Sequence, residues 1–171
     1  MSRIAGSSAD LAVLNFRRQA VPILSTIAAT LLDLLPIVAN SPLVPDFAFI
    51  VLIAWRLLRP EMWLAQMALP LGLLNDLVAG HPIGQSMALW TVTFLLLDLL
   101  DSRTGWRDYW MDWLFAAVLI LGYTTGGWLI ARMMGSQAAF GVMLPQLGLS
   151  VCAYPLVARL VVALDRWRLS R

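Results

Sequence analysis

The chain has 171 residues, of which 60% are hydrophobic and 13% charged, and its mean hydropathy is +0.78. That is more apolar surface than a core of this size hides from water, so an ordinary soluble domain is excluded. The formal charge of +2 comes from dispersed arginines without a single lysine, which argues against nucleic-acid binding.

A lone histidine, His81, excludes a multi-histidine metal or haem site, and a lone cysteine, Cys152, excludes a disulfide framework. No cofactor is indicated. Residues 1–19 are polar and lack both the early apolar core and the small-residue cleavage site of a signal peptide. They are expected to form a cytoplasmic tail before an uncleaved first span.

The six-span domain is predicted over residues 20–164, with a basic cytoplasmic tail over 165–171. The first span, residues 20–39, reaches about 30 Å as a helix and contains Asp33. Pro22 falls at its start, where proline is tolerated. After a breaker-rich turn at 40–45, the second span, residues 43–58, opens with Pro45-Asp46. It ends in Trp55-Arg56-Leu57-Leu58-Arg59-Pro60-Glu61, in the manner of a membrane interface. So short a segment is either a crossing or re-entrant.

The third span, residues 63–79, runs into Pro70-Leu71-Gly72-Leu73-Leu74-Asn75-Asp76-Leu77-Val78-Ala79-Gly80-His81-Pro82-Ile83-Gly84. Gly72, Asp76 and Gly80 recur every four residues and drift about 40° per step, so they share one helix face. The glycines permit close backbone approach, and the carboxylate must then face a neighbour or water rather than lipid. His81-Pro82 closes the segment, because a residue before proline is pushed out of the α region.

The fourth span, residues 83–100, ends near Asp98 and Asp101. The fifth, residues 113–133, carries Gly122, Gly126, Gly127 and Arg132. The sixth, residues 140–164, contains Pro145 and Pro155, where a kink or break is expected. Asp98, Asp101, Asp108 and Asp112 read as solvated charges at the membrane edge.

Six crossings put Arg3, Arg17, Arg18, Arg56, Arg59, Arg103, Arg107, Arg159, Arg166, Arg168 and Arg171 on one side and Arg132 alone on the other. Eleven against one places both termini in the cytoplasm. Dropping the second span would scatter the arginines, so six crossings are preferred. Asp33, Asp46, Asn75, Asp76 and Arg132 then share the outer half as a polar cluster. A charge at the bilayer centre costs about 2.5–3.5 kcal/mol. Arg132 is therefore expected beside an acid, with Asp76 or Asp33 the best candidates; alternatively, each charge reaches up to the headgroups.

The order Pro45-Asp46, Trp55, Arg59-Pro60 and Gly72-x-x-x-Asp76-x-x-x-Gly80-x-x-x-Gly84 resembles the MreD family of rod shape-determining proteins. The resemblance is strongest over residues 43–100, and Asn75 departs from it by standing where an apolar residue is usual. It implies an all-α, six-transmembrane-helix bundle related to the substrate-binding subunits of energy-coupling-factor transporters, with a groove open to the outer side. It also implies a non-enzymatic inner-membrane component of the cell-elongation machinery. Partners implied are MreC in the membrane and, indirectly, MreB, a SEDS-type glycosyltransferase and a penicillin-binding transpeptidase. Asp46, Arg59, Pro60, Gly72, Asp76, Gly80 and Gly84 match the family motif, and no catalytic role attaches to them.

The residues expect a mechanism of association inside the membrane. Glycine faces on the third and fifth spans would pack closely, and an exposed apolar face would receive a partner's helix. One alternative is a solute-binding subunit of a vitamin-type transporter, although the first span lacks an Ala-x-x-x-Ala docking pair. A phosphatidyl transferase would need further aspartates at four-residue spacing, and Gly80 occupies the next such position. No nucleophile-and-base motif accompanies His81.

Overall fold

The computed structural model describes residues 8–32, 34, 44–60, 65–101 and 109–169. Within them lie six α-helices: α1 (Ser8–Leu32), α2 (Phe47–Leu58), α3 (Ala68–Ala79), α4 (Gln85–Asp101), α5 (Tyr109–Met133) and α6 (Leu144–Leu169). Short 3-10 turns, Ala65–Met67 and Phe140–Met143, lead into α3 and α6. Asp33 lies outside the described residues.

The centre of the bundle is α2. Its sequence, Phe-Ala-Phe-Ile-Val-Leu-Ile-Ala-Trp-Arg-Leu-Leu, is apolar on every side, as a helix covered all round must be. It packs against α1, α5 and α6, and Phe49, Leu52, Ile53 and Trp55 are fully buried. With 12 residues it is only about 18 Å long, well short of the roughly 30 Å hydrocarbon layer. Neighbouring helices supply its surroundings, so it needs no lipid-matched length.

Polarity is inverted relative to a soluble protein. Thr26, Thr30, Asn75, Asp76, Ser86 and Thr93 are buried, whereas Leu95, Leu99, Leu114, Val118, Leu156 and Leu160 are exposed. The hydroxyls of Thr26, Thr30 and Thr93 donate to carbonyls one turn earlier, so each is satisfied within its own helix. Segments Trp110–Met133 and Phe140–Leu169 are each long and apolar enough to cross a membrane, and the remaining apolar helices are shorter.

The helix limits depart from the expected spans by several residues, and two prolines are placed differently. Helix α1 begins at Ser8, so Pro22 is interior, and its carbonyl accepts from both Ser25 Oγ and Thr26 Oγ1. Helix α6 runs unbroken through Pro155, while Pro145 occupies its first turn, where the missing N–H is not needed. No break falls at either proline.

Helices α3 and α4 form the tightest pair, an antiparallel hairpin closed on Gly72. A Cβ there would stand 2.6 Å from Met87 Cα and 2.7 Å from Met87 N, which are backbone atoms with no rotamer to yield. Gly72→Ala should therefore destabilise the protein by about 1–3 kcal/mol, read as a lower melting temperature in detergent. Gly122 faces open space, and Gly122→Ala should raise stability by about 0.4–1 kcal/mol.

Candidate functional site

Helix α3 ends at Ala79 because Gly80 turns the chain with φ +70, and Gly84 completes the reversal with φ +95. An added Cβ meets nothing within 4 Å at either glycine. Their role is left-handed backbone geometry, not the helix packing that the four-residue spacing suggests. Of these three glycines, only Gly72 leaves no room for a Cβ.

The reversal brings the start of α4 onto Asp76. Gly84 N–H donates to Asp76 Oδ2 at 2.8 Å and Ser86 N–H to Oδ1 at 2.7 Å, with Met87 N–H at 3.5 Å from Oδ2. These N–H groups lie where a helix start leaves donors unpaired and where its dipole is positive. Asp76 is 1% exposed, and a carboxylate so buried needs such donors. It acts as an N-terminal cap for α4, delivered from the preceding helix.

From this cap, polar contacts run across the bundle. Asn75 Nδ2 donates to Ser86 Oγ at 3.0 Å, and Ser86 Oγ lies 3.4 Å from both His81 Nδ1 and Tyr123 Oη. Tyr123 O–H donates to Asp46 Oδ2 at 2.7 Å. Asp46 Oδ1 in turn accepts the Phe49 N–H at 2.9 Å and caps α2. The Tyr123 ring also stacks on Phe49 with centroids 4.2 Å apart. One network thus joins α3, α4, α5 and the N-terminus of α2. Tyr123 and Ser86 do not stand out in the sequence, although a phenol within an apolar span signals a hidden partner.

Arg132 does not join this network. Its guanidinium lies over Trp128, 5.2 Å from the ring centroid, and among the described residues no ion pair links it to Asp46 or Asp76. Asp33, the other expected partner, lies outside the described residues, and two facts account for the lack of a pairing with Asp46 or Asp76. Arg132 stands about two and a half turns, roughly 13 Å, beyond Tyr123 along α5. Asp46 and Asp76, moreover, already accept from O–H and N–H donors.

Gly126 and Gly127 of α5 face α4, where added Cβ atoms would stand 2.6 Å from Leu89 Cδ2 and 3.2 Å from Gln85 Nε2. The glycines of α3 and α5 thus both serve contacts with α4.

The opposite end of the bundle is tied by ions. Arg56, 3% exposed, pairs with Asp98 across α2 and α4, so Asp98 is not merely a solvated charge. Arg59, whose backbone N–H closes α2, donates to Asp165 Oδ2 through Nε at 3.2 Å and Nη2 at 2.8 Å. Arg168 holds the other oxygen at 2.6–2.7 Å and lies over Trp55. The Trp55 indole N–H donates to Ser25 Oγ at 2.8 Å, which extends the tie to α1. Pro60 follows this junction and is exposed. Reading Arg168 as a solvated tail charge overlooks the i, i+3 spacing that lets it close on Asp165.

Residues 15–163 match the family model described as rod shape-determining protein MreD. The chain belongs to the MreD family. No curated protein and no solved structure gives a significant match. Membership of the MreD family together with the apolar helices makes this a multi-pass membrane protein that determines rod shape and is not an enzyme. The carboxylates described above act as hydrogen-bond and ion-pair acceptors between helices, a structural use consistent with that role.

The Asp46–Tyr123 contact can be tested by a double-mutant cycle. Tyr123→Phe and Asp46→Ala should each destabilise by about 1–3 kcal/mol, and the double variant should lose less than the sum. Unfolding in detergent measures this; strict additivity would mean that the two side chains do not interact.

Proposed function

We propose that this chain is a non-enzymatic scaffold of the cell-elongation machinery that acts by helix–helix association with MreC. Through that complex it would serve MreB, a SEDS-type glycosyltransferase and a penicillin-binding transpeptidase. The single observation that carries the proposal is the MreD family match over residues 15–163. The architecture supports it physically, because α2 is enclosed while broad apolar faces of α4, α5 and α6 stay open to lipid or to another helix.

The proposed setting is the bacterial inner membrane, with six crossings and both termini in the cytoplasm. The arginine-rich end, with Arg56, Arg59 and Arg168, then lies at the cytoplasmic face, and the Asp76 network lies toward the outer side. We also propose kinship of fold with the substrate-binding subunits of energy-coupling-factor transporters. Solute binding itself gains no support from the polar groups of Asp46, Tyr123, Ser86 and Asp76, which are spent on one another.

Affinity purification of the tagged protein in mild detergent tests the proposal. MreC should co-purify from cells that express both proteins. Absence of MreC from a folded, monodisperse preparation would overturn the association.

A further inference from the structure

Helix α5 records where the membrane surfaces lie. Its 25 residues begin near Trp110, which is 74% exposed and edge-on to Trp113, and end beyond Trp128. Trp110 and Trp128 are five helical turns apart, about 27 Å along the axis, close to the roughly 30 Å depth of the hydrocarbon layer. Tryptophans at that separation mark the two interfaces. Arg132 stands one turn past Trp128, at the level of lipid phosphates.

Around Arg132 the protein builds a fixed platform. The Trp128 indole N–H donates to Ala138 O at 3.0 Å, and its ring meets Phe140 edge-on at 5.5 Å. With the indole pinned, the guanidinium lies over it with its carbon 5.2 Å from the ring centroid. Arg132 is exposed, and no carboxylate among the described residues pairs with it. Beside it Met133 is 86% exposed and Met134 67%.

We infer that Arg132, held on Trp128, seats the phosphate of a membrane phospholipid. No carboxylate among the described residues supplies the anion that an exposed guanidinium at that depth calls for. Its fork of donors matches phosphate oxygens, and its place one turn past the interfacial Trp128 favours a lipid phosphate over a free one.

Native mass spectrometry of the full chain tests this, with phosphatidylglycerol and with diacylglycerol of the same acyl chains added to the detergent. The parent should retain phosphatidylglycerol and release diacylglycerol. Arg132→Gln should retain about fivefold less phosphatidylglycerol, the size expected of one interfacial cation. Trp128→Leu, which keeps the charge and removes the platform, should also retain less, whereas Arg132→Lys should fall between parent and Arg132→Gln. Equal retention by the parent and Arg132→Gln, or equal retention of diacylglycerol, would overturn the inference. Displacement of the lipid by soluble glycerophosphate at the same concentration would overturn the commitment to a membrane source.

Discussion

The carboxylate of Asp76 takes its hydrogen bonds from backbone N–H groups at the start of the next helix, and the rest of that end of the bundle is arranged around this cap. A buried anion usually calls for a buried cation, yet here the partial positive charge of α4's first turn serves instead. The arrangement needs a tight reversal between the two helices, which Gly80 and Gly84 supply with positive φ. It also needs the two backbones to come close, which only a residue without Cβ at position 72 permits. Asn75 donates its side-chain N–H to Ser86 Oγ and so adds a second strut to the same hairpin.

The two ends of the molecule are held by different chemistry. At the Asp76 end, neutral donors and two carboxylates link α2, α3, α4 and α5, with no arginine involved. At the other end, Arg56, Arg59 and Arg168 bind Asp98 and Asp165 and bring together α2, α4 and α6. Helix α2 is capped by an acid at its start and flanked by arginines at its end, the order that its dipole favours. Each ion pair between helices has one half-exposed member, which lowers the cost of desolvating charge: Arg59 and Asp98 are each about half exposed, while Arg56 and Asp165 are buried. Hydrogen bonds within and between helices suit the Asp76 network, where Asn75, Asp76 and Ser86 are buried away from any solvent partner.

Hydropathy and breakers alone disclose the six apolar segments, and the four-residue spacing of Gly72, Asp76 and Gly80 is plain in the sequence. What is not legible is the identity of Asp76's partner. A sequence displays side-chain charges, so Arg132 stands out as the complement, while the backbone N–H groups of Gly84 and Ser86 have no letter of their own. Gly80 and Gly84 mislead in a similar way, since a four-residue glycine spacing signals packing and left-handed turns equally well. Arg168 is hidden for another reason. A basic residue near a terminus looks solvated, and only the fold shows that Asp165 and Trp55 enclose it.

The capping role of Asp76 is tested most directly by hydrogen–deuterium exchange at the amides of Gly84 and Ser86. In the parent protein both should exchange as slowly as amides inside α4. In Asp76→Ala they should exchange about tenfold faster or more, while the amides of Leu119 and Ile120 in α5 keep their protection. Rapid exchange of Gly84 and Ser86 in the parent, or rates unaltered by removal of the carboxylate, would contradict a bundle closed by that cap.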